Sequence, residues 1–191
     1  MTVRPITIIG HKALHQSTRR VQTVTDEVRE LVADMFETMD AADGAGLAAN
    51  QVGVRLRIFV YACAAADEVM QRGVVINPVL EKGLVAPGEP DPHESLEGCL
   101  SVPGESFPTA RSDWARVTGT DLDGNTVEVE AQGGTLARCL QHETDHLDGK
   151  LYVERLTPTH RTAARATVKE RGWEAARLTK WNPTEQDAED V

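Results

Sequence analysis

With 191 residues, the chain is long enough for one domain with a sizeable hydrophobic core. A 40% hydrophobic content and a formal charge of −10 fit a soluble globular protein, and the acidic balance argues against wrapping nucleic acid through phosphates, so no specific DNA partner is expected. No apolar run approaches the roughly 18 residues of a membrane span, Met1-Thr2-Val3-Arg4-Pro5 lacks the apolar stretch of a secretory signal, and 3 widely spaced cysteines make no disulfide framework; a reduced, cytoplasmic setting is expected.

Residues 26 to 42 carry Val28, Leu31, Val32, Met35, Phe36 and Met39 at helical spacing, which predicts an amphipathic helix. Thr25 is its candidate cap, Asp26, Glu27 and Glu30 favour its positive end, and Asp43-Gly44 stops it. Arg57 to Tyr61 and Val74 to Ile76 read as strands, the second ended by Asn77-Pro78. Residues 83 to 95, rich in Pro, Gly and acids, read as a solvated loop. Val117 to Leu122 and Thr126 to Val129 flank Asp123-Gly124 and predict a hairpin. A helix follows, with Thr135 as candidate cap after Gly133-Gly134 and Gly149 as its stop. A last helix starts at Pro158 with Thr157 as cap and ends near Gly172. Residues 1–181 are expected to form one domain and the acidic segment 182–191 to be disordered. The reading is α+β.

The helix before Gly149 carries His142-Glu143-Thr144-Asp145-His146. Residues four apart share a helix face, so both imidazoles can reach one divalent ion. Glu143 stands beside them, placed to act on a metal-bound water without ligating. A catalytic site of this type needs a third protein ligand. The metzincin spacing would put it at Tyr152, which is not a histidine. Cys139 shares the face but lies seven residues from His146, about 10 Å along the axis, and is better read as a small buried hydrophobe. Cys99, beside Gly98 in Glu97-Gly98-Cys99-Leu100-Ser101, is the best candidate, because glycine there permits close backbone approach.

Three segments in order, Gly44-Ala45-Gly46-Leu47-Ala48-Ala49-Asn50-Gln51, Glu97 to Ser101 and Gln141 to His146, resemble the G-x-G-x-A-A-x-Q, E-G-C-L-S and Q-H-E-x-D-H motifs of peptide deformylases, notably actinobacterial ones. The resemblance spans roughly residues 4 to 158. It implies antiparallel and mixed strands around a central helix that carries the histidines. It further implies removal of formyl from the formylmethionine of new polypeptides, with Cys99, His142 and His146 as metal ligands and Glu143 as general base and acid. Under the same resemblance Gln51 and the Leu100 backbone N–H meet the formyl oxygen, and Gly46 offers a main-chain contact. Ala45, Cys139 and the stem of Arg138 align with the wall of a methionine pocket. Thr135 and Arg138 depart from the aliphatic residues common there, which leaves the pocket's size and polarity open. Glu97 is expected to pair with Arg111 and orient the ligands. The implied metal is Fe2+, replaceable by Zn2+, Ni2+ or Co2+.

Two other readings remain. One is a zincin peptidase whose third ligand is a downstream glutamate such as Glu170; the other is a metal-binding module without catalysis, which the presence of Glu143 and Gln51 disfavours. The last helix places Arg161, Arg165 and Lys169 four apart, with His160 and Arg171 nearby. Such a stripe could meet ribosomal RNA, although charge at this spacing is more often a solvated face.

Overall fold

The computed structural model describes residues 2–173 and 180–184. Helix α1 (Asp26–Ala41) leads into β2 (Gly46–Ala48), after a short β1 (Ile6–Thr7). Then come β3 (Ile58–Ala64), β4 (Met70–Lys82), β5 (Leu96–Cys99), β6 (Val102–Pro108), β7 (Trp114–Thr120) and β8 (Thr126–Gln132). Helices α2 (Gly134–Leu147) and α3 (Pro158–Glu170) follow, with β9 (Lys180–Trp181) returning to pair with β1. A five-stranded antiparallel sheet runs β2-β3-β4-β7-β8, and β5 and β6 form a separate antiparallel pair.

The alternation of β3 decides which helix packs where. Phe59, Tyr61 and Cys63 face α2 and join Leu136, Cys139 and Leu140 in one cluster. Ile58 and Val60 point the other way and join Leu31, Val32, Met35 and Met39 of α1. Side chains alternate across a strand with period two, so one strand of apolar residues serves both helices. Each large side chain buried this way contributes about 1.5–3 kcal/mol before entropy is charged against it. A third cluster ties β1, Val102, Tyr152, α3, Trp173 and Trp181 together and closes the chain behind the β5–β6 pair.

Two expectations need correction. The strand from Val74 does not end at Asn77-Pro78; β4 continues to Lys82 through a register shift between Ile76 and Val79. Asn77 adopts φ 55°, and its side chain exchanges two 2.8 Å hydrogen bonds with the Val21 backbone, so the proline sits in an anchored bulge. The cap of α2 is Gly133, not Thr135. A Cβ on Gly134 would stand 2.8 Å from the Ala66 backbone N, so the chain passes Ala65-Ala66 too closely for any side chain. Thr25 stands at the N-cap of α1 as expected, in extended backbone and without a side-chain cap hydrogen bond. The other end of α2 follows expectation: Gly149 (φ 73°) closes it, with Gly149 N–H donating to His146 O and Lys150 N–H to Asp145 O. Of the segment expected to be disordered, residues 185–191 lie outside the described residues.

Candidate active site

Helix α2 is almost wholly buried, including every residue from Leu140 to Leu147. It presents His142 and His146 with their Nε2 atoms 3.1 Å apart. Cys99, at the bulge that ends β5, brings its Sγ to 3.1 Å from His146 Nε2. The three ligand atoms lie within 4.8 Å of one another, and no other group of three His, Cys, Asp or Glu among the described residues is so arranged. In a tetrahedral zinc-type centre with bonds of about 2.1 Å to nitrogen and about 2.3 Å to sulfur, donors stand about 3.4–3.6 Å apart, so this set fits a metal with little movement. Glu170, the alternative third ligand, ends α3 on the exposed surface.

The surroundings prepare the ligands. Glu97 accepts from His142 Nδ1 at 2.7 Å, which leaves the Nε2 lone pair for a cation. The same carboxylate takes a two-pronged pair from Arg111, at 2.6 and 2.9 Å, and a 2.8 Å bond from Arg138 Nη1. Burial alone would raise the pKa of Glu97, but the bonds from Arg111 and His142 outweigh it and hold the carboxyl well below the usual range. Arg111 also reaches Asp145 at 2.6 Å, and Arg155 grips Asp145 with two further bonds. Two buried carboxylates are thus met by three guanidinium groups, the condition under which buried charge is tolerated. Gln141 bonds both backbone groups of Ser112 and so holds the loop that delivers Arg111. The Cys99 sulfur accepts from Ser101 N–H at 3.3 Å and Gln51 Nε2 at 3.7 Å.

Glu143 differs from its neighbours. It is buried, its Oε2 has no hydrogen-bond partner, and burial pushes its carboxyl up to about 7. A carboxyl in that range can both take and give a proton at neutral pH. Gly46 makes room for it, since a Cβ there would lie 2.5 Å from Glu143 Oε1 and 2.8 Å from Cys139 Sγ.

These groups border a cleft of about 880 Å³. Ala45, Gly46, Gln51, Leu100, Arg138 and Cys139 all line it, together with Cys99, His142 and Glu143, whereas His146 lies behind them, 1% exposed. Gln51 accepts from Ala48 N–H on its Oε1 at 2.8 Å and turns its Nε2 to Ser101 Oγ and Cys99, which aims its N–H edge at the ligand sulfur. Arg138 holds its guanidinium against Glu97 and the Thr109 carbonyl through Nη1. Asp145, Arg155 and Gln141 were not assigned roles from the sequence. The Gln and Asp of the motif were visible there, but their partners come from distant segments and left no local pattern.

The chain matches the model of the polypeptide deformylase family over residues 3–162. It is 52% identical to a peptide deformylase of Rhodococcus opacus (strain B4) over 187 residues, covering 96% of this chain and 94% of that one. It is also 52% identical to one of Mycolicibacterium smegmatis, with 97% and 96% covered. Among solved structures, the peptide deformylase of Ehrlichia chaffeensis in complex with actinonin superposes with a TM-score of 0.77 at 37% identity, covering 93% of this chain and 100% of that chain. That of Thermus thermophilus gives 0.74 at 37% identity, with 88% and 94% covered.

Proposed function

We infer the chemistry from one premise: this chain belongs to the polypeptide deformylase family, hydrolases that remove the N-formyl group from nascent peptides. The observation that carries the reading is the convergence of Cys99, His142 and His146 beside an unpaired, buried Glu143. Cys99, His142 and His146 hold the metal. When bound, the ion lowers the pKa of a water and polarises the formyl carbonyl. Glu143 takes the proton from the attacking water and passes it to the departing amine, which could not leave as an anion. Negative charge grows on the formyl oxygen, and the Gln51 side-chain amide and Leu100 N–H donate to it. The backbone of Gly46 aligns the peptide, and Ala45, Cys139 and the Arg138 stem wall the methionine side chain. Formate and a free amino terminus result.

The working metal in this reading is Fe2+, with zinc, nickel or cobalt able to replace it; residues 1–181 act as one catalytic domain in the cytoplasm. No helix among the described residues is long and apolar enough to cross a membrane. Ferrous iron and its Cys99 ligand are both oxidisable. Protein purified without oxygen should contain iron, release formate from N-formylmethionyl peptides and leave internal peptide bonds intact. Air should inactivate it, and nickel substitution should protect it. Equal activity of aerobic and anaerobic preparations, both containing zinc, would contradict the iron assignment.

The substrate emerges at the ribosome, and α3 offers a meeting surface. Part of its basic stripe is already engaged: Arg161 Nη2 donates to the Glu154 and Leu156 carbonyls, and Arg171 pairs with Glu105 at 3.0 Å. Arg165 and Lys169 stay exposed. Contact through them predicts salt-sensitive cosedimentation with ribosomes. Arg165→Glu combined with Lys169→Glu should abolish it, and unchanged sedimentation would leave the stripe as ordinary surface.

A further inference from the structure

His142 and His146 are not supported alike. Glu97 fixes His142 through Nδ1. The Nδ1 of His146 is buried and has no hydrogen-bond partner. Besides Cys99 and His142, the side chain that reaches His146 is Asn50, 0% exposed, in the short 3-10 turn Ala49–Val52, and it meets the backbone of that residue. Asn50 Nδ2 donates to the His146 carbonyl at 2.5 Å and to the Ala13 carbonyl at 3.4 Å. These two contacts set the amide's orientation, because the reversed amide would aim an oxygen at two carbonyl oxygens. Asn50 Oδ1 is therefore an acceptor, and it too is buried without a partner. A histidine that ligates through Nε2 carries its proton on Nδ1, so His146 supplies the matching donor. Two residues already joined by one hydrogen bond thus hold one unpaired acceptor and one unpaired donor, a state that buried polar groups rarely keep. The segment is pinned beneath by Thr7, whose Oγ1 donates to the Asn50 and Gln51 carbonyls at 3.3 and 3.0 Å.

We propose that Asn50 is a positioning residue for the metal ligand His146: its Nδ2 clamps the backbone of the ligand's turn, and its Oδ1 accepts the Nδ1–H of His146 through at most one buried water. Asn50 would then do for His146 what Glu97 does for His142, with a neutral acceptor in place of a charged one. The inference rests on the reading of His146 as a ligand.

The test uses full-length protein loaded with cobalt(II) or zinc. Asn50→Ala should bind metal 10–100-fold more weakly in chelator competition, alter the visible cobalt bands, and lower kcat with little change in KM. Thr7→Val loosens the same segment without touching either imidazole, and should lower Tm while keeping metal affinity and the cobalt spectrum. Wild-type affinity and spectrum in Asn50→Ala would overturn the proposal, as would an equal loss of affinity in Thr7→Val. Should Asn50→Ala not fold, NMR of the zinc-loaded wild type decides. An exchange-protected His146 Nδ1 proton near the Asn50 amide is expected, and a freely exchanging one overturns the role. His146→Ala, run alongside, separates the two readings. Full metal retention there removes the ligand assignment itself, whereas metal loss there beside an unaffected Asn50→Ala removes only the role of Asn50.

Discussion

Glu143→Gln should keep its full complement of metal and lose at least ~100-fold in kcat, the lower range for general acid–base catalysis, or about 2.7 kcal/mol of barrier. The substitution preserves shape, which matters because Gly46 packs so closely that a Cβ would lie 2.5 Å from Glu143 Oε1. The carboxylate is not among the three converging ligand atoms, so the ion should not feel its loss directly. What disappears is the ability to hold a proton between the attacking water and the departing amine. KM for a formylmethionyl peptide should change little, since Glu143 acts on the reaction and not on the peptide's grip. Metal content by atomic absorption, beside steady-state kinetics, checks both halves. Near-normal kcat would place the base elsewhere; loss of metal would make Glu143 a ligand.

Much of the fold was legible because its largest elements advertise their period. The stripe from Val28 to Met39 marked α1 within one residue of its observed end, Ala41, and Asp123-Gly124 marked the turn between β7 and β8. Less legible were features decided by distant neighbours. The two-residue strands β1 and β9 pair across nearly the whole chain and carry no period of their own. Asn77-Pro78 reads locally as a stop, yet the strand survives there because Val21 anchors the Asn77 side chain.

At the site, the local pattern and the resemblance supplied residues, and the structure supplies their relations. Spacing of four put His142 and His146 on one helix face, whereas nothing near Cys99 said where its sulfur would point. Arg138 was read for its stem beside the methionine pocket; its guanidinium pairs with Glu97, a contact that nothing in its own segment announced. The chain Glu97–Arg111–Asp145–Arg155 joins β5, a loop, α2 and the segment before α3. Only its first pair was expected. Buried charges find partners in three dimensions, and the sequence distances between these partners follow no rule. Asn50 escaped for a related reason: it sits beside Gln51, whose part is plain, and its own contacts run to the far end of α2.

The account stands on the Cys99 sulfur as the third ligand. Removing one of three protein donors should abolish tight metal binding and with it activity, because the two remaining imidazoles offer no charge to a divalent cation. Cys139 provides the control: it is buried in the same helix, 5% exposed, and its sulfur donates to the Ala45 carbonyl at 3.5 Å instead of joining the cluster. The direct measurement is metal stoichiometry of Cys99→Ala and Cys139→Ala after gel filtration against a chelator, with circular dichroism to verify that both are folded. The expected result is less than about a tenth of an equivalent in Cys99→Ala, at least the roughly 10–100-fold loss that removing a mere supporting partner of a ligand brings, and one full equivalent in Cys139→Ala. Equal retention by the two variants would contradict the assignment of Cys99 and the metal centre built on it.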